Sequence, residues 1–522
     1  MRRLVSCARA SRLDRETREA SALPSILLME DASLRLWDRI APIAALLGAG
    51  AGAGPLVALC GAGNNGGDAL ALLRHARFAG LADLAVVLGK ERLGEPASIY
   101  LESLRALGLP ILSWESERGA CEALIARAAL LIDGIAGTGL EGPLRGNLAG
   151  LAEAANASPA PVAAIDLPSG LRDGFAAGDP LVIADWTVSV EPRKAALYAP
   201  AQRPSCGEIL AAEGVFPRGA VTDEASSSAF LIEEADIPRW LPPDGPDRHK
   251  GERGRLAVFA GAVGSTGAAC LCSRAALAAG AGLVSLFAAP ELLGPLSSRL
   301  EAVMVKPEPQ DPGALDPARW DAILAGPGWG RSDRNRAALG RLLSTGLPAL
   351  LDADAIRLYR ELLDSGFKPR SPLLLTPHPG EYEALYGVAP SRSLADPVST
   401  LREKAAALGA VIILKAGVTW IASPDGQLAA WEGRESGLAT AGSGDVLAGL
   451  AAGLLCGQAA AGAGAGKGRG AGPEAAAFTA ACAAVAAHGT AGRRARAARG
   501  WFEAGDLVAE GGRILGSRGG AP

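Results

Sequence analysis

PLVALCGAGNNGGDALALLRHA, residues 55–76, decides how the first half of the chain is read. A short apolar run is followed by a glycine-rich turn and then by apolar residues at helical spacing, the pattern of a strand feeding a helix. Gly61, Gly63 and Gly66 fall in the G-x-G-x-x-G spacing of dinucleotide sites. There, glycines let the chain turn tightly and let a phosphate approach the backbone N–H groups of a helix start. A nicotinamide dehydrogenase also wants an acid near the end of the next strand. Glu91 is the late candidate and it follows Lys90, a poor fit to such a site. Asn64, Asn65 and Asp68 are not needed by that fingerprint and point to other chemistry.

Outward from this stretch, apolar runs at 56–60, 84–88, 130–133, 162–166 and 186–190 alternate with helical patterns at 68–79, 96–107 and 121–128. Such alternation predicts a mostly parallel sheet covered by helices, with ligands at the carboxyl ends of the strands. The pattern lapses around 217–247, where TDEASSS and LPPDGPDRHKGERG are rich in Ser, Pro, Gly and charge. A second series of strands follows at 255–261, 283–288, 322–325, 349–352, 373–376, 411–415 and 419–422. Two different α/β domains are expected, 1–222 and 223–522. The low-complexity stretch 459–475, AAAGAGAGKGRGAGPEA, reads as a flexible insertion between two helices.

Composition agrees. At 522 residues the chain exceeds one typical domain, and 49% hydrophobic against 20% charged residues allows two real cores. A net charge of −4 without a large Lys/Arg cluster argues against a nucleic-acid partner. Eight cysteines lack a CxxC framework; only Cys270 and Cys272 lie close, so buried free thiols in a reducing cytosol are expected. Charges at Arg12, Asp14, Arg15, Glu16 and Arg18 leave no apolar signal segment. The uncharged stretches 41–67 and 446–466 are broken by glycine and adjoin polar turns, which favours soluble buried elements over membrane spans. A cytoplasmic protein with no membrane partner is expected.

Three strand ends of the first half carry polar groups: the Asn64–Asp68 turn, Asp133, and Asp166 with Ser169. Parallel strands would bring them to one edge, where oxygen donors without His or Cys suit a hard cation, a ribose or acid/base work. The segments PSILLMEDA, CGAGNNGGDA, DGIAGTGLEGP, AIDLPSGLRDG and SVEPRKAALYAPA resemble the NAD(P)H-hydrate epimerases over nearly all of 10–215. The resemblance implies a Rossmann-like three-layer α/β/α domain that epimerises C6 of hydrated NADH or NADPH. It implies substrate contacts from Asn64, Asn65, Gly66, Gly67, Asp68, Gly137, Thr138, Gly139, Leu140, Glu141, Gly142 and Pro143. It implies Asp166 as the catalytic carboxylate and a potassium ion on Asn65, Asp133 and Ser169. Ala69 stands where glycine is usual, and Ile135-Ala136 replaces a more usual Leu-Phe.

In the second half, LATAGSGDVLAGLAAGLL (438–455) is the strongest motif. Glycines at a helix start free successive N–H groups to hold a transferring phosphoryl group, and Asp445 is placed to take a proton from an attacking hydroxyl. A glycine loop capped by Asp is the plainer alternative. LAGPGWG (324–330), LLTPHPGEYEAL (374–385, with a preceding Leu373) and ILKAGVTWIASPDG (413–426) add a glycine-rich strand end, His378 between two prolines, and Lys415 at a turn. No Walker A sequence is present, which disfavours a P-loop enzyme. Together these resemble the ribokinase-like superfamily, and within it the ADP-dependent NAD(P)H-hydrate dehydratases, over about 230–515. The resemblance implies a ribokinase-like α/β/α domain with Ala268, Gly328, His378 and Asp445 on the hydrated nucleotide. It implies Lys415, Ala416, Gly417, Val418, Thr419 and Gly444 on ADP, an anion hole of Gly442, Ser443 and Gly444, and Mg²⁺ accompanying ADP.

The two resemblances imply one chain that epimerises the R and S hydrates and dehydrates the S form with ADP, giving AMP and phosphate, as a homo-oligomer. The alternative is a ribokinase-like small-molecule kinase fused to a non-catalytic nucleotide-binding domain.

Overall fold

The computed structural model describes residues 1–221, 228–242, 244–312, 315–464 and 472–517. The chain divides into two compact units: one is Arg3–Ala229, and the other comprises Phe230–Pro522 together with Met1–Arg2. The expected 222/223 boundary falls outside the described residues.

The first unit grows from the strand Leu56–Cys60, which is buried throughout. Leu56, Ala58 and Cys60 face one apolar cluster, and Val57 and Leu59 face another. A strand covered on both sides needs no polar alternation, which is why LVALC reads as a continuous apolar run. The chain pairs it with Leu84–Leu88 and then Ile111–Ser113 on one side. It then crosses to the other side with Leu130–Gly134, Val162–Ile165, Trp186–Val190 and Glu208–Ala212. All these pairs are parallel, so the strand ends share one edge, and the order reverses between Leu56–Cys60 and Leu130–Gly134. Open α/β sheets bind ligands at such a reversal.

Helices Ser25–Leu47, Asn64–Phe78 and Ala97–Ala106 cover one face, and Arg118–Ala126 and Asn147–Ala157 the other. The helix expected over 68–79 starts at Asn64. NNGGD is therefore its first turn and not the loop before it.

The second unit repeats the principle around Arg255–Phe259. Leu283–Ala288 and Met304–Pro307 lie on one side; Ala322–Ala325, Ala349–Leu351, Leu373–Leu375 and Ala410–Leu414 lie on the other, all parallel. Val418–Ala422 and Leu428–Glu432 continue as antiparallel strands, and Phe230 and Leu231 pair beyond them. Leu256 and Val258 pack towards helices Thr266–Ala278, Ser443–Gly464 and Pro473–Arg499, while Ala257 and Phe259 pack towards Asp333–Leu343 and Asp354–Asp364. Both units are thus three-layer α/β/α folds.

From Val446 to Gly457 the helix Ser443–Gly464 is apolar on every side because it is buried on every side. It approaches Thr266–Ala278 at backbone contact. A Cβ added at Gly449 would lie 2.2 Å from the Cys272 carbonyl oxygen, and one at Gly453 would lie 2.5 Å from that of Ala276. By length and composition Ser443–Gly462 and Pro473–Arg499 are apolar enough to cross a membrane, yet 67% and 83% of their apolar windows are buried in the unit. They are core helices here. The insertion expected at 459–475 is shorter than read: the first helix continues to Gly464 and the next begins at Pro473. The residues between, 465–471, lie outside the described ones. All eight cysteines are buried and free.

Candidate active sites

At the sheet reversal of the first unit, a cleft of about 560 Å³ opens at the strand ends. Gly63, Asn64, Asn65 and Asp68 line it from the start of the helix, Gly137 to Leu140 from the loop after Leu130–Gly134, and Asp166 from the end of Val162–Ile165. The glycines divide the labour. A Cβ at Gly61 would sit 1.9 Å from the Ile135 carbonyl oxygen and one at Gly66 2.0 Å from that of Gly61. These two let the turn and the neighbouring loop touch. A Cβ added at Gly63 would meet nothing within 4 Å, so this glycine opens onto the cleft. Gly66 and Gly67 do not line the cleft; a Cβ at Gly67 would meet the Met29 sulfur at 2.7 Å. Glu141 and Pro143 line a neighbouring cavity of about 660 Å³, and Gly142 lines neither. Ala69 is accommodated because its Cβ faces Gly134, where a second Cβ would lie 2.6 Å away.

Asp133 and Ser169 meet directly. The Ser169 hydroxyl donates to Asp133 Oδ1 at 2.5 Å, the Ser169 N–H to Oδ2 at 2.8 Å and the Ile135 N–H to Oδ1 at 3.2 Å. Asp133 is wholly buried. Burial pushes its carboxyl up to about 6 against these hydrogen bonds. Asn65 is also buried, against Gly137, and its Nδ2 has no hydrogen-bond partner.

Asp166 adopts φ +67°, a conformation that costs a non-glycine residue about 1–3 kcal/mol and gathers at functional sites. Its Oδ1 accepts from the Val190 N–H at 3.0 Å and is ion-paired with Lys194. Lys194 is 2% exposed and donates to the Val190 carbonyl at 2.8 Å. A buried ammonium held against a carboxylate at the floor of a cleft is the residue the sequence reading missed. In SVEPRK it looks like surface charge, and only tertiary burial distinguishes it. The helix Cys7–Ser21 supplies Ser11, Asp14, Arg15 and Arg18 to the same cleft. The Ser11 hydroxyl donates to Thr138 Oγ1 at 3.1 Å. Burial, then the charges of Asp166 and Asp14, raise the Asp68 carboxyl well above the ordinary range.

In the second unit the strand ends again converge. Asp352, just after Ala349–Leu351, accepts from Lys415 Nζ at 2.7 Å and from Thr376 Oγ1 at 2.6 Å. Asp445 lies in the first turn of Ser443–Gly464. Burial pushes its carboxyl up to about 6, helped by the charge of Asp352 and opposed by Lys415. Burial works against the Lys415 ammonium, but Asp352, Glu381 and Asp445 outweigh it and raise its pKa. A Cβ on Gly444 would lie 3.6 Å from Lys415 Nζ, so the ammonium stands over the glycine loop. Gly442 has φ +87°, and a Cβ there would strike Leu271 at 2.5 Å. Asp352, Lys415 and Asp445 with its glycine loop, well separated in sequence, thus form one charged cluster around a helix N-terminus.

His378 caps the helix Pro379–Tyr386. Its Nδ1 accepts from the N–H groups of Gly380 and Glu381 at 3.1 and 3.3 Å, and Glu381 Oε2 accepts from the His378 N–H at 2.9 Å. With Nδ1 occupied as an acceptor, the exposed Nε2 carries the proton. Ala268 and Gly328 adjoin: a Cβ on Gly328 would lie 3.2 Å from that of Ala268. Ala416 and Gly417 form the turn between Ala410–Leu414 and Val418–Ala422, with Val418 and Thr419 opening the second strand. Asp352 went unassigned as a site residue because a strand-end acid ordinarily reads as a helix cap.

Family models match both units: one described as YjeF-related protein N-terminus over residues 26–196, and one described as NAD(P)H-hydrate dehydratase over 256–510. The bifunctional NAD(P)H-hydrate repair enzyme Nnr of Moorella thermoacetica is 33% identical over 86% of this chain and 87% of its own. The chain belongs to the bifunctional NAD(P)H-hydrate repair enzymes. The Mycobacterium tuberculosis enzyme of the same name is 36% identical over 65% of this chain and 69% of its own. Among solved structures, an ADP/ATP-dependent NAD(P)H-hydrate dehydratase of Bacillus subtilis, co-crystallised with ATP and Mg²⁺, is 24% identical with a TM-score of 0.45. It covers 55% of this chain and 99% of that one. As a repair enzyme, the chain carries an epimerase unit, with its polar cluster at the sheet reversal, and a dehydratase unit, with its polar cluster at the ends of Ala349–Leu351, Leu373–Leu375 and Ala410–Leu414.

Proposed function

We propose that the first unit interconverts the R and S hydrates of NADH and NADPH at C6, and that the second dehydrates the S hydrate with ADP. The observation that carries this reading is the pairing, in one chain, of a buried Asp166–Lys194 couple at a dinucleotide-type turn with an Asp445–glycine loop under Lys415.

In the first unit, Asp166 takes the proton of the C6 hydroxyl as its oxygen becomes a carbonyl. The C6–N1 bond breaks, and its electron pair accepts a proton from the Lys194 ammonium. Rotation about C5–C6 offers the other carbonyl face, and closure returns both protons. Two oppositely charged groups held together serve both directions, as an epimerase requires. Asn65, Asp133 and Ser169 would hold a potassium ion: they offer hard oxygen donors, Asp133 lacks a cationic partner, and turning the Asn65 amide replaces its unpaired Nδ2 by Oδ1. The ion supplies charge compensation for Asp133.

In the second unit, Asp445 removes the proton of the C6 hydroxyl as that oxygen attacks the β-phosphorus of ADP and AMP leaves. The Gly442–Gly444 amides and Lys415 meet the charge on the transferred group. The N1 lone pair then expels phosphate from C6, and loss of a C5 proton gives NAD(P)H. Mg²⁺ supplies further charge neutralisation. Among the described residues no group of three His, Cys, Asp or Glu would cage it, which suits a cation carried on nucleotide phosphates.

Incubating the full chain with mixed R and S hydrates, ADP, Mg²⁺ and K⁺ tests the reading through recovery of reduced-nicotinamide absorbance. Complete recovery supports both activities. A stable phosphorylated product without recovery would show a small-molecule kinase instead.

The acid limb of dehydration follows from Asp445. Its base form is required, so kcat/KM for the hydrate is expected to rise with pH along a limb at about 6. Removing the cation that lowers this value, by Lys415→Met, moves the limb to higher pH. A limb at 3.8, the value of an ordinary aspartate carboxyl, would exclude Asp445 as the base.

A further inference from the structure

The dehydratase chemistry rests on the peptide groups at the start of Ser443–Gly464, and one side chain far along the sequence grips them. His488 lies on Pro473–Arg499 and is 8% exposed. Its Nε2 is 3.0 Å from the Ser443 carbonyl oxygen and 3.1 Å from Ser443 Oγ. A carbonyl oxygen only accepts, so Nε2 carries the hydrogen and the hydroxyl oxygen shares it. Burial pushes the imidazole down to about 4, which keeps the ring neutral at ordinary pH.

We propose that His488 is a positioning residue of the dehydratase: by donating to the Ser443 carbonyl it orients and polarises the Ser443–Gly444 peptide group, whose N–H faces the transferring phosphoryl group. This rests on the reading of Gly442–Gly444 as the anion-holding loop. A hydrogen bond accepted by a carbonyl draws density along the amide and makes the N–H of the same peptide group a stronger donor. The same bond fixes the plane of that peptide group, and a donor aimed within a narrow tolerance is worth far more than a loose one. His488 is itself held firmly. At the next residue, Gly489, an added Cβ would lie 1.9 Å from Trp431 Nε1, so the helix sits directly on the strand Leu428–Glu432. The ring faces Ser443, which makes His488 a support for the reacting groups.

Three variants of the full chain test this: His488→Met, which fills the space without a donor; His488→Gln, whose amide N–H reaches the position of Nε2; and His488→Asn, whose amide falls short. Losing an anion-hole donor outright costs about 10²–10³ in kcat. Loosening one is expected to cost about tenfold or more in the Met and Asn variants, with KM for ADP within about twofold. The Gln variant is expected to recover to within about threefold, and epimerase activity in every variant to stay at the parental rate. Equal losses in Gln and Asn would show that the ring only fills space, and parental kcat in Met or Asn would remove the role altogether. Either result overturns the proposal. If Met fails to fold, the Gln–Asn comparison decides alone. Asp445→Asn run alongside separates the two readings: if it too keeps the parental rate, the anion-hole assignment fails; if it is inactive while the His488 variants are not, only His488 is wrong.

Discussion

Asp445→Asn is expected to lower kcat for ADP-dependent dehydration by about 10²- to 10⁴-fold while epimerisation by the same chain continues at its parental rate. The substitution keeps the size of the side chain in the first turn of the helix, so the glycine loop stays in place. What it removes is the acceptor for the C6 hydroxyl proton. KM for ADP should change little, because the Gly442–Gly444 amides and Lys415 remain. Stability supplies an independent sign. The folded carboxyl titrates at about 6 against 3.8 for a free one, so its ionisation favours the unfolded chain as pH rises through that interval. Above pH 6 the Asn variant is therefore expected to melt higher than its parent, and below 3.8 the two should converge. A variant that loses both activity and melting temperature at neutral pH would point to a structural role for Asp445.

Asp166→Asn is expected to stop consumption of mixed hydrates at the share already present as S, with ADP in excess and dehydratase turnover intact. The epimerase rate itself should fall by about 10²- to 10⁴-fold. Asparagine is the right replacement because the position has φ +67°, which Asn tolerates better than most residues. It leaves the buried Lys194 ammonium without its counter-charge, and breaking a buried pair in this way costs about 3–5 kcal/mol. The double variant Asp166→Asn, Lys194→Met removes that charge, so it should regain stability and still lack epimerisation. Recovery of epimerisation in the double variant would refute the assignment of both groups.

The central strands of both units could be read directly because each is buried on both faces and appears as an unbroken apolar run. Edge strands could not. Ile111–Ser113 is three residues long and Met304–Pro307 ends in proline, so neither carries a pattern of its own. The helix start at Asn64 was placed four residues late because two Asn and two Gly are weak helix formers, and tertiary contact at Gly61, Gly66 and Ile135 overrides that preference. Candidate site residues on motifs, such as Asp133, Ser169 and Asp445, could be singled out because glycine spacing marks the turn that holds them. Asp352, Lys194 and His488 were not. Each meets a partner remote in sequence, and nothing local separates a buried Lys or His from a surface one.

The contact of Gly449 and Gly453 with the backbone of Thr266–Ala278 bears on what turnover can move. A helix seated backbone to backbone has no side-chain cushion along which to slide or tilt, so the loop at its head is fixed when the chain folds. The anion site is then a mould set in advance. Nucleotide binding should add little order to this region, and amide hydrogen exchange in the first turn of Ser443–Gly464 should be nearly as slow without ADP as with it. The Ala/Gly richness of VLAGLAAGLL is in that sense a mechanical specification: it sets the distance between two helices and so holds the loop at the helix start still.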